Sequence, residues 1–341
     1  MLSSPYKKGV LSLVGSLLFA FSLYYIEGLN VLPLPKEEDP LHFFSNALGD
    51  DLRKGFASAI ASAKEQIVLM IFSLTDPSLI AALNEKAKSG VTIKLIVDAD
   101  ASPHISRKLH PSIALVKRYG KGLMHLKILV VDQKITWLGS ANFTGDSLRV
   151  HGNLVLALHS EPLAFFCIEK AKSLTSFERT ALFPRQLFLL NDSTNQTLSL
   201  HFLPDDQEAH KKLIYLIDTA KKSVRVAMYT WTQKELFSAC LKAKMRGVRV
   251  DIAIDRSSTH GASHKIASLL VFEGMHVHNN RGKGLLHYKW VLIDNHTLAH
   301  GSANWTKGAF SKNDDYLLFL SPLSNTQMAF MEKLWQKILS Q

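Results

Sequence analysis

Cysteine is nearly absent: the 341-residue chain has two, Cys167 and Cys240. Two thiols without metal-ligand spacing exclude a disulfide framework and a zinc site, and both read as buried packing residues. Acidic residues are also in deficit, with 29 Asp and Glu against 40 Lys and Arg and a formal charge of +11. That surplus favours anionic partners, either phospholipid headgroups or nucleic acid. Missing as well is a ladder of aromatic residues on which successive bases would stack. Long apolar runs are lacking except at the amino terminus. There, Lys7 and Lys8 precede "GVLSLVGSLLFAFSLYYI" (residues 9–26), which is eighteen residues without a charge and just long enough to cross a bilayer. Tyr24 and Tyr25 stand where an interfacial aromatic pair would lie, and Pro33 and Pro35 end the segment before an acidic "KEED". No A-x-A-like cleavage site follows. Residues 1–35 are therefore expected to form an uncleaved membrane anchor, with the body on the non-cytoplasmic side, or secreted if the segment is removed.

The remainder is globular in composition, with 47% hydrophobic and 20% charged residues, and is long enough for two domains. Its most informative feature is repetition. "IVLMIFSLTDPSLIAALNEKAKSGVTIKLIVDAD" from Ile67 matches "VRVAMYTWTQKELFSACLKAKMRGVRVDIAIDRS" from Val224 at a constant offset of 157. Phe72 pairs with Tyr229, Thr75 with Thr232, Gly90 with Gly247 and Asp98 with Asp255. Each block reads as strand, helix, glycine stop and second strand, which is a β-α-β unit. A helical lead precedes each one. The offset then grows to 162, and "RSSTHGASHK" (residues 256–265) is the expected site of the five extra residues. The polar stretch "LLNDSTNQTLSLHF" places a boundary near residue 195, giving domains at 40–194 and 195–341.

Past the β-α-β units, "GKGLMHLKILVVD" (residues 120–132) recurs as "GKGLLHYKWVLID" (residues 282–294), and each is followed by a G-S-A-N block, "GSANFT" and "GSANWT". On a strand, residues two apart share a face, so His125 points with Lys127 and His287 with Lys289. Asp132 and Asp294 lie seven positions on, an odd separation that suits support better than attack. Ser140, Asn142, Ser302 and Asn304 offer hydrogen bonds to an anion, helped by the small residues around them. Folding the copies about a pseudo-twofold axis brings two histidines, two lysines and two asparagines to one pocket, and such a concentration of positive charge calls for an anionic ligand. Phosphate fits. One neutral imidazole attacks phosphorus while the other protonates the leaving oxygen, without a metal or other cofactor.

H-x-K-x4-D followed by G-S-x-N, present twice, resembles the signature of the phospholipase D superfamily. The resemblance spans most of residues 40–341. It implies an α/β fold of two similar domains, each a mixed β-sheet flanked by helices, related by a pseudo-twofold axis with the active site at their interface, so that a monomer suffices. It also implies a catalytic set of His125, Lys127, Asp132, His287, Lys289 and Asp294, with His125 as nucleophile. The family tends to place a histidine-orienting acid after G-S-x-N. Asp315 stands there in the second copy, but the first copy has Asn153. The implied activities are phospholipid hydrolysis, phosphatidyl transfer of the cardiolipin synthase type, and nucleic acid cleavage, with an inactive scaffold as the remaining alternative. An anchored basic body favours phospholipid. His300 is expected at the mouth of the pocket, and Trp231 and Trp305 near the site.

Overall fold

The computed structural model describes residues 32–190 and 195–341, so most of the expected anchor, 1–35, lies outside the described residues. Among those described, no helix is long and apolar enough to cross a membrane.

The strands of the first half are β1 (Leu41–Phe44), β2 (Gln66–Ile71), β3 (Thr92–Asp98), β4 (Ala114–Arg118), β5 (Lys127–Val131), β6 (Ile135–Gly139) and β7 (Val155–His159). Those of the second are β8 (Gln186–Leu189), β9 (Thr197–Leu203), β10 (Ser223–Met228), β11 (Arg249–Ile254), β12 (Val277–Asn279), β13 (Lys289–Ile293), β14 (Thr297–Gly301) and β15 (Asp315–Ser321). The sheets run β1-β7-β6-β5-β2-β3-β4 and β12-β11-β10-β13-β14-β15-β9-β8. With the second order reversed, all seven strands of the first sheet match seven of the second, which adds β8 at its edge. In both, three parallel strands join an antiparallel hairpin. The expected duplicated α/β architecture is therefore present. The 194/195 boundary falls between β8 and β9, which pair with each other, so sheet membership changes earlier, before Gln186.

Helices α1 (Leu52–Ser62) and α2 (Pro77–Lys88) cover the outer face of the first sheet; α3 (Gly145–Arg149) and α4 (Glu161–Ser173) follow β6 and β7. The second half repeats these as α5 (Glu208–Thr219), α6 (Lys234–Met245), α9 (Lys307–Ser311) and α10 (Asn325–Leu339). It adds α7 (Arg256–Thr259) and α8 (His264–Phe272) where the first half has only a short 3₁₀ turn, Ile105–Arg107, which is where the extra residues were expected.

Strand β2 explains why both faces of the sheet are dry. Ile67, Leu69 and Ile71 point into a core shared with α1 and α2, while Val68 and Met70 point into a second core. A continuous apolar run is what a strand covered on both sides requires. The second core is common to both halves: Leu126, Leu156 and Leu158 of the first pack in it with Trp290, Leu318 and Leu320 of the second, and with one face each of α4 and α10. One apolar layer thus joins the two sheets. Cys167 and Cys240 are buried free thiols, as expected. Trp231 and Trp305, expected near the site, instead pack edge to face at 4.5 Å inside the outer core of the second half, both almost completely buried. Indole rings buried in this way contribute most by removing apolar area from water.

Candidate active site

The repeated loops meet across the pseudo-twofold axis. Met124 forms a β-bridge with Asp314, and its counterpart Leu286 forms one with Gly152. Backbone N–H groups follow the same exchange: Asp314 donates to Leu123 O and Gly152 to Leu285 O, both at 2.8 Å. Such reciprocal pairing, in which patch i of one half meets patch j of the other and the reverse, marks an isologous interface. The repeated G-K-G loops press against it. A Cβ on Gly122 would stand 2.3 Å from Lys312 O, and one on Gly284 would stand 2.1 Å from Val150 O, so both positions need glycine for want of space. Asp98 and Asp255 fix the loops from behind, accepting the N–H of Met124 at 3.0 Å and of Leu286 at 2.7 Å. The repeat alignment paired these two carboxylates without assigning them this work.

On this frame the histidines are held by the opposite half. His125 Nδ1 donates to Asp315 Oδ1 at 2.8 Å, and His287 Nδ1 donates to Asn153 Oδ1 at 3.0 Å. The Asn153 amide has no freedom to flip, because its Nδ2 donates to the carbonyls of Ser147 (2.7 Å) and His151 (3.0 Å). In both neutral imidazoles the proton therefore sits on Nδ1, leaving the Nε2 lone pair free. Lys127 and Lys289 lie two residues on, as the alternation predicts. Each ammonium donates to the carbonyl of its own histidine, at 2.7 and 2.8 Å, and rests on the ring of Phe72 or Tyr229. Those same rings touch His125 and His287, with centroids 5.1 Å apart in each pair.

Four cationic or potentially cationic groups are thus buried together, and each resists charging. Burial and the Lys127 charge lower the His125 pKa, against the pull of Asp315. Burial, both lysines and His125 itself hold His287 well below its ordinary value. Burial brings Lys127 down to about 7 although Asp315 and Asp98 oppose it, and burial with the Lys127 charge holds Lys289 well below the usual ammonium range. A bound anion relieves all four at once.

Other expected site residues fall elsewhere. Ser140 and Ser302, expected to bind phosphate, are fully buried; their hydroxyls donate to Asn153 Oδ1 at 2.8 Å and Asp315 Oδ1 at 2.6 Å. They brace the orienting side chains, because β6 and β14 turn them inward before the loop opens. Asn142 and Asn304 differ: their Oδ1 atoms are buried and lack a partner among the described residues. Asp132 and Asp294 sit at the far ends of β5 and β13, in turns whose two central residues all have positive φ. Asp132 accepts the N–H groups of Lys64, Glu65 and Gln66, and Asp294 those of Lys221, Lys222 and Ser223. Partial burial pushes each carboxyl up, but those N–H groups outweigh it and hold both below the usual value. His300, expected at the mouth, is fully buried on β14 with Nδ1 donating to Lys289 O at 3.3 Å, and burial depresses its pKa to about 3.

His151 is not among the residues that the motifs single out. It lies beside His287, with ring centroids 6.4 Å apart. The sequence signal was the second register: at an offset of 162, "HGN" of the first copy aligns with "NDD" of the second.

Residues 56–174 and 213–338 match the family model described as "Cardiolipin synthase, PLD-like domain". The chain belongs to this family. Among PLD-like relatives, the mitochondrial cardiolipin hydrolase of Xenopus tropicalis is 27% identical over 137 residues, covering 40% of this chain and 65% of that protein. The probable cardiolipin synthase YwiE of Bacillus subtilis (strain 168) is 25% identical over 276 residues, covering 70% of this chain and 53% of that protein. The chain thus spans less than two thirds of either relative. Among solved structures, the phosphatidylserine synthase of Haemophilus influenzae Rd KW20 superposes with a TM-score of 0.67 at 14% identity, covering 90% of this chain and 87% of that one, a likeness of fold.

Proposed function

We propose that this PLD-like protein is a phosphodiesterase or phosphatidyltransferase acting on phospholipid through a phosphohistidine. The reading rests above all on the two buried imidazoles, each fixed by the opposite half with Nε2 unprotonated and ringed by two lysines. His125 Nε2 attacks phosphorus; the bond to the leaving oxygen breaks, and that oxygen takes a proton from His287 Nε2. Water or an acceptor alcohol then gives its proton to His287 and attacks phosphorus, and the P–N bond returns its electron pair to His125. Lys127, Lys289, Asn142 and Asn304 stabilise charge on the equatorial oxygens. His125 takes the nucleophile's part because Asp315 favours the positive charge its ring gains on attack. His287, without a carboxylate, is a strong acid once substrate charge has protonated it. Asp132 and Asp294 hold the strands that carry both centres.

Phospholipid is favoured by the likeness to a cardiolipin hydrolase and a probable cardiolipin synthase and by the basic charge. In this reading residues 1–35 anchor the chain beside its substrate, with the body on the non-cytoplasmic side. The test is to incubate the protein with labelled phosphatidylglycerol, phosphatidylcholine and single-stranded DNA, with and without EDTA. Turnover of lipid that persists in EDTA is expected. Cleavage of DNA alone, or a strict metal requirement, would overturn the reading.

A further inference from the structure

The two halves treat the pair of residues behind each histidine differently, and the difference leaves one imidazole without an assigned task. In the second half Asn313 Oδ1 accepts the N–H of Leu123 at 3.0 Å, while its Nδ2 donates to Asp315 Oδ2 at 3.1 Å. The amide is a tether, and the adjacent acid orients His125. In the first half the tether is His151, whose Nδ1 accepts the N–H of Leu285 at 3.1 Å, and the orienting residue is the neutral Asn153. The Asn153 amide hydrogens are already used on Ser147 O and His151 O, so the His151 ring has no call on it.

Accepting the Leu285 N–H fixes the tautomer of His151: its proton is on Nε2. His287 has the opposite polarity, with its proton on Nδ1 and a lone pair on Nε2. Half-buried His151 and buried His287 have ring centroids 6.4 Å apart and ring planes inclined by 47°, a spacing compatible with one oxygen atom hydrogen-bonded to both rings. The charged groups that act on His151 are Asp146 and Asp255, which favour its protonation, and Lys289, which opposes it. Protonating Nδ1 would also break the Leu285 bond.

We propose that His151 is a positioning residue for the second step, donating from Nε2–H to the attacking water or alcohol so that the oxygen's own proton faces His287 Nε2. The inference rests on the phosphohistidine reading above. In that step the O–H proton passes to His287, oxygen bonds to phosphorus, and the P–N bond to His125 breaks. His151 keeps its proton throughout. A donor that stays neutral orients the nucleophile without adding a fifth positive charge to the pocket.

The test uses the full chain and bis(4-nitrophenyl) phosphate, comparing wild type with His151→Asn and His151→Gln. Asparagine can keep the Leu285 tether, as Asn313 does for Leu123, but lacks the distal donor; glutamine can supply a donor near Nε2. For His151→Asn, the first burst of nitrophenol should stay within about threefold of wild type. Steady-state turnover should fall on the order of tenfold or more, and an adduct on His125 should accumulate, detected by mass. His151→Gln should recover part of the steady-state rate. A burst and steady-state rate that fall together, or a steady state that does not change, would overturn the proposal. An inactive wild-type chain would instead overturn the phosphodiesterase reading. Ring ¹⁵N shifts test the tautomer without turnover: a protonated Nδ1 on His151 at neutral pH removes the basis of the inference.

Discussion

The two halves of the site share a backbone and differ in charge. Each histidine is gripped through Nδ1 by a side chain from the other half, and each gripping side chain is braced by a serine hydroxyl at the same place in G-S-A-N. On one side the grip is a carboxylate, on the other an amide. A carboxylate stabilises an imidazolium; an amide carbonyl orients the ring and leaves its basicity low. Duplication thus supplied geometry twice, while a single-residue difference gives His125 a charged partner and His287 a neutral one; on the proposed mechanism that difference separates nucleophile from acid.

Removing either ring should have the largest effect. His125→Ala should cost at least about 10⁴-fold in turnover, since no covalent intermediate can form. His287→Ala should spare more of the first step with an activated leaving group, because nitrophenolate departs without a proton. Rates with bis(4-nitrophenyl) phosphate and with phosphatidylglycerol, measured on both variants, separate the roles. Equal losses on both substrates would argue against the division of labour.

Exchanging the grips comes next. Asp315→Asn makes the His125 environment resemble that of His287 and should lower turnover by about 10 to 100-fold, the usual effect of removing an outer orienting group. Asn153→Asp does the reverse. Its carboxylate would raise the His287 pKa, so the acid form survives to higher pH and the alkaline side of the rate profile should move upward. A profile that does not move in Asn153→Asp would mean that His287 is not the titrating acid.

The reach of the sequence can be judged on the same two halves. Both β-α-β units and the paired H-x-K loops were legible, because duplication prints each constraint twice and a two-residue alternation fixes which side chains share a face; Asp315 and Asn153 were singled out by the family resemblance rather than by the repeat. Ser140 and Ser302 were misjudged, since a hydroxyl beside a glycine suits an anion as well as it suits Asn153 or Asp315, and only the turn of the strand decides. Trp231 and Trp305 were misplaced for a similar reason: nearness in sequence to a motif says nothing of which face of the sheet a side chain takes. His151 was hidden because it departs from its own repeat.

A smaller effect should appear in the pH dependence. Lys127, brought down to about 7 by burial, is cationic below that pH and loses its charge above it. If it holds the substrate phosphate, kcat/KM should decline as pH rises past about 7. Lys127→Arg keeps its charge at any accessible pH and should flatten that decline while costing some rate, because a planar guanidinium does not fit a site shaped for an ammonium. A wild-type profile flat from pH 6 to 9 would remove Lys127 from this role.

The least effect on chemistry, and a measurable one on stability, is expected at the turns. Asp132 and Asp294 are the most faithfully repeated acids of the motif, yet each binds three backbone N–H groups at the end of its strand remote from the histidine. Asp132→Asn keeps an acceptor oxygen and loses the charge. With these hydrogen bonds partly open to solvent, the cost should be about 1 kcal/mol, or roughly 2 °C in Tm, with kcat within twofold of wild type. The sign with pH follows from a depressed carboxyl pKa. The charge contributes stability above the unfolded value near 3.8, and that contribution disappears as pH falls through the lower folded value. Melting curves of wild type and Asp132→Asn should therefore differ at pH 7 and converge in acid. A variant with native Tm and a large loss of kcat would place the carboxylate in the chemistry after all.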